Sequence, residues 1–83
     1  MTKDELRALA LEVLAGIAPE ADLAAVDPAA DLRETLDLDS MDFLSFVVGL
    51  HDRTGIDVPE SDYARLATLE GCVGYLAARA PRS

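Results

Sequence analysis

Tryptophan is absent from this 83-residue chain and aromatic residues make up only 5% of it, although hydrophobic residues reach 51%. An Ala/Leu/Val-rich composition of that kind suits close-packed helices, so the predicted class is all-α. Cysteine occurs once, as Cys72, which excludes an internal disulfide. Its place in an apolar helical row predicts a small buried hydrophobe and fits a reducing cytoplasm. Histidine also occurs once, and His51 lies eleven residues after Ser40. That is roughly three turns along one helix, too far to form a nucleophile–base pair, so a self-contained serine hydrolase is not expected. The acids have no Cys or His companions at ligand spacing and no EF-hand loop pattern is present, which argues against a metal centre. Positive charge is scarce, with seven Lys and Arg against sixteen Asp and Glu and a net charge of −9. Such a balance repels phosphate backbones and argues against nucleic acid or an anionic membrane, leaving a basic protein surface as the expected partner. No long uncharged apolar run occurs and the chain opens Met1-Thr2-Lys3-Asp4-Glu5, so neither a signal peptide nor a transmembrane helix is expected, and the predicted location is the cytoplasm.

What is present organises into one domain, residues 1–83, small enough that folding buries only roughly 60–65% of the available surface. Thr2-Lys3-Asp4-Glu5 is a capping box for a first helix over roughly Lys3 to Ile17, with Leu6, Leu9, Ala10, Val13, Leu14 and Ile17 at helical spacing until Pro19 stops it. Residues 18–39 read as a long loop pinned by Leu23, Val26, Leu32, Leu36 and Leu38; a loop this long is uncommon and often functional. After Gly55, the stretch Ile56-Asp57-Val58-Pro59 is too short for a sheet, and residues 60–66 predict a short third helix. Thr68 caps a closing helix in which Leu69, Cys72, Val73, Leu76 and Ala77 form an apolar row, with a stop before Pro81. Gly71 and Gly74 weaken that helix but permit close approach. Capped helices near both ends are expected of a free-standing domain. The predicted fold is a small four-helix bundle, three longer helices and one short one, with a long first loop.

The loop delivers the chain to Leu36-Asp37-Leu38-Asp39-Ser40-Met41-Asp42-Phe43-Leu44. Asp39 is a favoured N-cap, Asp42 adds negative charge in the first turn, and Gly55 supplies the stop, so Ser40 is an exposed first-turn residue. Phe43, Phe46, Val47 and Leu50 form the core row of this second helix. A further apolar row, Met41, Leu44 and Val48, is turned away from it beside Ser45 and Asp52. A soluble helix seldom needs two. Residues 37–62 hold seven acids and one base, a net of −6, so the negative field is concentrated around Ser40.

Asp37-Leu38-Asp39-Ser40-Met41, the helix and glycine stop that follow, Gly55-Ile56-Asp57-Val58-Pro59, and Tyr75 in the closing helix together resemble the acyl carrier protein family along most of the chain. The family's attachment motif is Asp-Ser-Leu, and Met41 replaces its leucine with similar volume. The resemblance implies that Ser40 carries a covalent 4′-phosphopantetheine arm derived from coenzyme A, making this a phosphoprotein. A separate magnesium-dependent phosphopantetheinyl transferase would install the arm, with Asp39 orienting the serine. The chain would then be a carrier and no enzyme, a monomer presenting acyl or related groups as thioesters to loading and synthase enzymes of fatty acid or polyketide biosynthesis. The recognition helix of the family coincides with the two-row helix, so Met41, Leu44 and Val48 are expected to meet an apolar patch while Asp37, Asp39, Asp42 and Asp52 meet basic groups at its rim. Peptidyl, D-alanyl or aminoacyl cargo uses the same scaffold, and an acidic helical interaction module without a prosthetic group is the competing reading. Two departures stand out. Ser45, His51 and Arg53 occupy a helix half that is densely acidic in the family, so partners tuned to ordinary fatty-acid carriers are expected to bind less well. Thr54 stands where an aromatic commonly closes the helix, so an acyl-sequestering cavity is expected to differ in shape or be absent. His51 itself reads as a surface histidine, not a pH sensor.

Overall fold

Thr2 and Glu5 satisfy one another at the start of α1 (Lys3–Ile17), with Glu5 N donating to Thr2 Oγ1 at 3.1 Å and Thr2 N donating to Glu5 Oε1 at 2.9 Å. The computed structural model describes residues 1–80. α1 packs on both later long helices, α3 (Ser40–Thr54) and α4 (Leu69–Arg79). Leu6, Ala10 and Leu14 of α1, Phe46 and Leu50 of α3, and Cys72 and Leu76 of α4 are fully buried between them. Arg53 of α3 reaches Glu12 of α1 at 3.2 Å on the outside of this seam, an exposed pair of small energetic weight. The short helix expected between α3 and α4 spans Glu60–Leu66, packs on α4 and inserts Leu66 fully into the core. It is a 3₁₀ helix, a form suited to brief connectors. Tyr75 fastens it: its hydroxyl donates to Asp62 Oδ2 at 2.7 Å while the Arg79 guanidinium lies 3.9 Å from its ring centroid. Burial, reinforced by that bond to Asp62, raises the pKa of the phenol.

The long loop is more structured than its composition predicts. A single 3₁₀ turn spans Leu23–Ala25, and a short helix, α2 (Leu32–Thr35), follows. Asp31 caps α2 by accepting from Glu34 N at 3.0 Å, a local signal readable in Asp31-Leu32-Arg33-Glu34. Distant contacts do the rest. Leu32 N donates to Ala67 O at 2.7 Å, Glu70 N donates to Pro28 O at 2.9 Å, and Leu32 is fully buried. These bonds satisfy backbone groups that a solvated loop would leave to water, so the segment is held against the start of α4.

The two glycines of α4 differ, contrary to the expectation that both serve close approach. A Cβ on Gly71 would lie 2.6 Å from Arg65 O, so this glycine lets α4 meet the 3₁₀ helix, whereas a Cβ on Gly74 would meet nothing within 4 Å. Gly74→Ala is therefore expected to stabilise the protein by about 0.5–1 kcal/mol through helix propensity. Gly71→Ala is expected to destabilise it by about 1–3 kcal/mol, because backbone must move. Thermal melting of the two variants checks the opposite signs. The helix stop assigned to Pro81 lies outside the described residues; α4 ends at Arg79, with Ala80 N bonded to Leu76 O.

Candidate functional site

Ser40 owes its position to a tight sequence of stops and starts. Asp37 adopts a left-handed conformation with φ 54°, which aspartate tolerates better than most side chains. Across it, Leu38 N donates to Arg33 O at 2.8 Å, the outer bond of a Schellman-type stop that ends α2. Leu38 is thereby turned into the core, and the next residue, Asp39, begins α3. Asp39 Oδ1 accepts from Asp42 N at 2.8 Å, and Asp42 Oδ2 accepts from Asp39 N at 3.3 Å. Asp42 is thus the second half of a capping box, a role beyond the first-turn charge that its position predicts. Ser40 follows as the first helical residue, exposed to solvent.

One residue at this site is not among those expected from the sequence. Arg33, on α2, donates from Nη2 to Ser40 Oγ at 3.3 Å, with its guanidinium carbon 5.7 Å from the Phe43 ring centroid. The signal that was available is its isolation, since Arg33 is the sole Lys or Arg between Arg7 and Arg53. A guanidinium donates hydrogen bonds and cannot accept a proton at any ordinary pH, so it does not activate the hydroxyl. His51 is occupied elsewhere. Its Nδ1 lies 3.0 Å from Ile56 O and 3.3 Å from Asp57 Oδ1, two acceptors that call for a proton on Nδ1 and anchor the ring at the far end of α3. Thr54 works at the same end, donating to Leu50 O at 2.7 Å and accepting from Ile56 N at 3.1 Å, while Gly55 closes the helix at φ 72°. Among the described residues the side chain hydrogen-bonded to Ser40 Oγ is that of Arg33, a donor, so no base is paired with the hydroxyl.

The remaining expected site residues are distributed as the helical repeat dictates. Met41, Leu44 and Val48 are 71%, 43% and 50% exposed, whereas Phe43, Phe46, Val47 and Leu50 are buried. Asp37 and Asp52 are exposed and Asp42 is half-buried. Leu44 borders a groove of ≈ 430 Å³ that also takes in Arg33, Ser40, Phe43, Glu60 and Tyr63. Val48 borders a second groove, towards His51, Val58 and Pro59, and Tyr63 is common to both. The exposed row of α3 thus leads away from Ser40 along one side of the molecule. No helix among the described residues is long and apolar enough to cross a membrane.

Comparison with known proteins places this geometry in context. The family model described as "Phosphopantetheine attachment site" matches residues 4–76. A protein named acyl carrier protein from Myxococcus xanthus is 30% identical over 71 residues, covering 78% of this chain and 90% of the relative. One of the same name from Micrococcus luteus is also 30% identical over 71 residues, covering 78% and 88%. A third, from Campylobacter jejuni, is 29% identical over 75 residues, covering 90% and 91%.

Proposed function

The chain belongs to the acyl carrier protein family, the proteins of the phosphopantetheine attachment domain, and on that premise we propose that Ser40 is the residue that takes the arm and that the loaded protein carries acyl groups between enzymes. The observation that carries this reading is an exposed first-turn hydroxyl with no base paired to it among the described residues, facing a cation and opening onto a groove. The residues present fit a phosphodiester there: Ser40 supplies the oxygen, Arg33 supplies a positive charge beside it, and the position is exposed to solvent. In loading, Ser40 Oγ would gain its bond to phosphorus as the pyrophosphate link of coenzyme A breaks, adenosine 3′,5′-bisphosphate would leave, and the serine proton would pass to a base on the transferase. Once attached, the arm supplies a thiol that holds an acyl group as a thioester.

The exposed row Met41, Leu44 and Val48 is the docking face for the transferase and for the loading and synthase enzymes. The acids near it, Asp37, Asp39, Asp42 and Asp52, complement basic patches on those partners and steer encounter. Asp39 contributes by capping α3, which holds Ser40 at the helix mouth. Intact mass after incubation with coenzyme A and a broad-specificity phosphopantetheinyl transferase tests the reading. A gain of one arm is expected, and an unchanged mass would make this an interaction module with the same fold.

Cys72 makes a second test possible. Burial pushes its thiol pKa up to about 12, so at pH 7–9 it stays neutral, enclosed and unreactive. A native thiol titration is expected to read close to zero in the unmodified protein and one per chain after arm attachment. Denaturation exposes Cys72 and adds one to each. A fast native reaction of the unmodified protein would show that α4 opens far more readily than its packing implies.

A further inference from the structure

We infer that Arg33 is a positioning residue that holds the phosphate of the attached arm, and so sets the direction in which the arm leaves the protein; this rests on Ser40 being the attachment residue. Acids surround Arg33 in sequence, with Asp31, Glu34, Asp37, Asp39 and Asp42 all within nine residues, and an exposed arginine in such company ordinarily pairs with one of them. Among the described residues no carboxylate lies within ion-pair distance of it. The reason is structural. Asp31 is engaged in capping α2, Asp39 and Asp42 are engaged with one another's backbone at the start of α3, and the exposed Glu34 and Asp37 carboxylates lie beyond ion-pair distance of Arg33. The guanidinium is left over, stacked near Phe43 and turned towards Ser40 Oγ at 3.3 Å.

Phosphate on that oxygen would bring a negative charge beside the carboxylates of Asp39 and Asp42. Arg33 is the cation placed to offset that repulsion, and its planar fork of N–H donors matches two phosphate oxygens at once. It is carried by α2, whose stop at Asp37 is the turn that delivers Ser40, so the cation and the attachment oxygen are held by one continuous segment. With its phosphate tied towards α2, the arm would leave on the side of the groove bordered by Phe43, Leu44 and Tyr63.

The test compares fully loaded wild-type protein with loaded R33Q and R33K, complete loading being verified for each by intact mass. In the wild type, loading is expected to shift the Arg33 Nε–H resonance, and the ³¹P line is expected to be broader than that of an unrestrained phosphodiester. Both effects should fade at about 1 M sodium chloride, where the screening length falls to about 3 Å. R33Q should lose the broadening and move the ³¹P resonance, with melting temperature little changed because Arg33 is exposed. R33K separates charge from packing: it retains a salt-sensitive ³¹P shift if charge holds the phosphate. An R33K signal matching R33Q would reduce Arg33 to a cover for Phe43 and overturn the inference. So would an R33Q spectrum indistinguishable from wild type, or an Arg33 Nε–H resonance unmoved by loading. Failure of the wild type to gain mass is a separate result, which removes the attachment reading and this inference with it.

Discussion

Ser40→Ala is expected to yield a folded protein that gains no arm at all under conditions that load the wild type completely. The loss is all-or-none because the hydroxyl oxygen is the atom that would bond to phosphorus, and alanine offers no substitute. Stability should be nearly untouched, within about 0.5 kcal/mol, since the side chain is exposed and away from the core. Asp39 and Asp42 still close the start of α3, and alanine is a good first-turn residue. The hydrogen bond from Arg33, long and solvent-exposed at 3.3 Å, contributes little to folding. The remaining serines, Ser45, Ser61 and Ser83, serve as internal controls. Intact mass and a melting curve on one sample decide the matter, and arm attachment at any of those three in the alanine variant would refute the assignment to Ser40.

The second large effect divides the two faces of α3. Phe46 is fully buried in the core, and truncating it to alanine is expected to cost about 3–5 kcal/mol. A domain of this size has only about 5–15 kcal/mol in total, so Phe46→Ala should lower the melting temperature severely. Leu44→Ala and Val48→Ala remove side chains that are 43% and 50% exposed, and melting should barely move. Their effect should fall on transfer and loading, where an apolar anchor at the centre of an interface often carries most of the binding energy. Asp39→Asn keeps an N-cap, because asparagine caps as well as aspartate, so its expected effect is a slower association with a weaker dependence on salt. Melting curves paired with transferase kinetics separate these outcomes. Equal unfolding by Leu44→Ala and Phe46→Ala would make the outer row part of the core and dissolve the docking face.

Much of this molecule is legible in its sequence, and the legible parts share a physical property. α1, α3 and α4 are specified by apolar residues three and four apart and by caps that act within one turn, so Thr2, Asp39, Thr68 and Gly55 announce their boundaries locally. The outer row of Met41, Leu44 and Val48 followed from the same repeat, because a helix fixes the relative direction of its own side chains. Asp39-Ser40 at a helix mouth, with the glycine stop and the segment after it, was enough to suggest the family.

Contacts between distant segments decided the rest. Residues 18–39 read as a loop because no periodicity runs through them, yet α2 forms where Leu32 bonds to Ala67, and Glu70 bonds back to Pro28, pairings more than thirty residues apart. Gly71 and Gly74 are alike in sequence, and only the approach of Arg65 O distinguishes the one that must stay glycine. Arg33 is the sharpest case: composition shows a lone base among acids, a pattern that ordinarily means a surface ion pair. Its turn towards Ser40 depends on which carboxylates the caps have already occupied and on where Phe43 stands when α3 docks. Local sequence determines helices because their hydrogen bonds join residues four apart; the aim of a single long side chain is set by everything that folds around it.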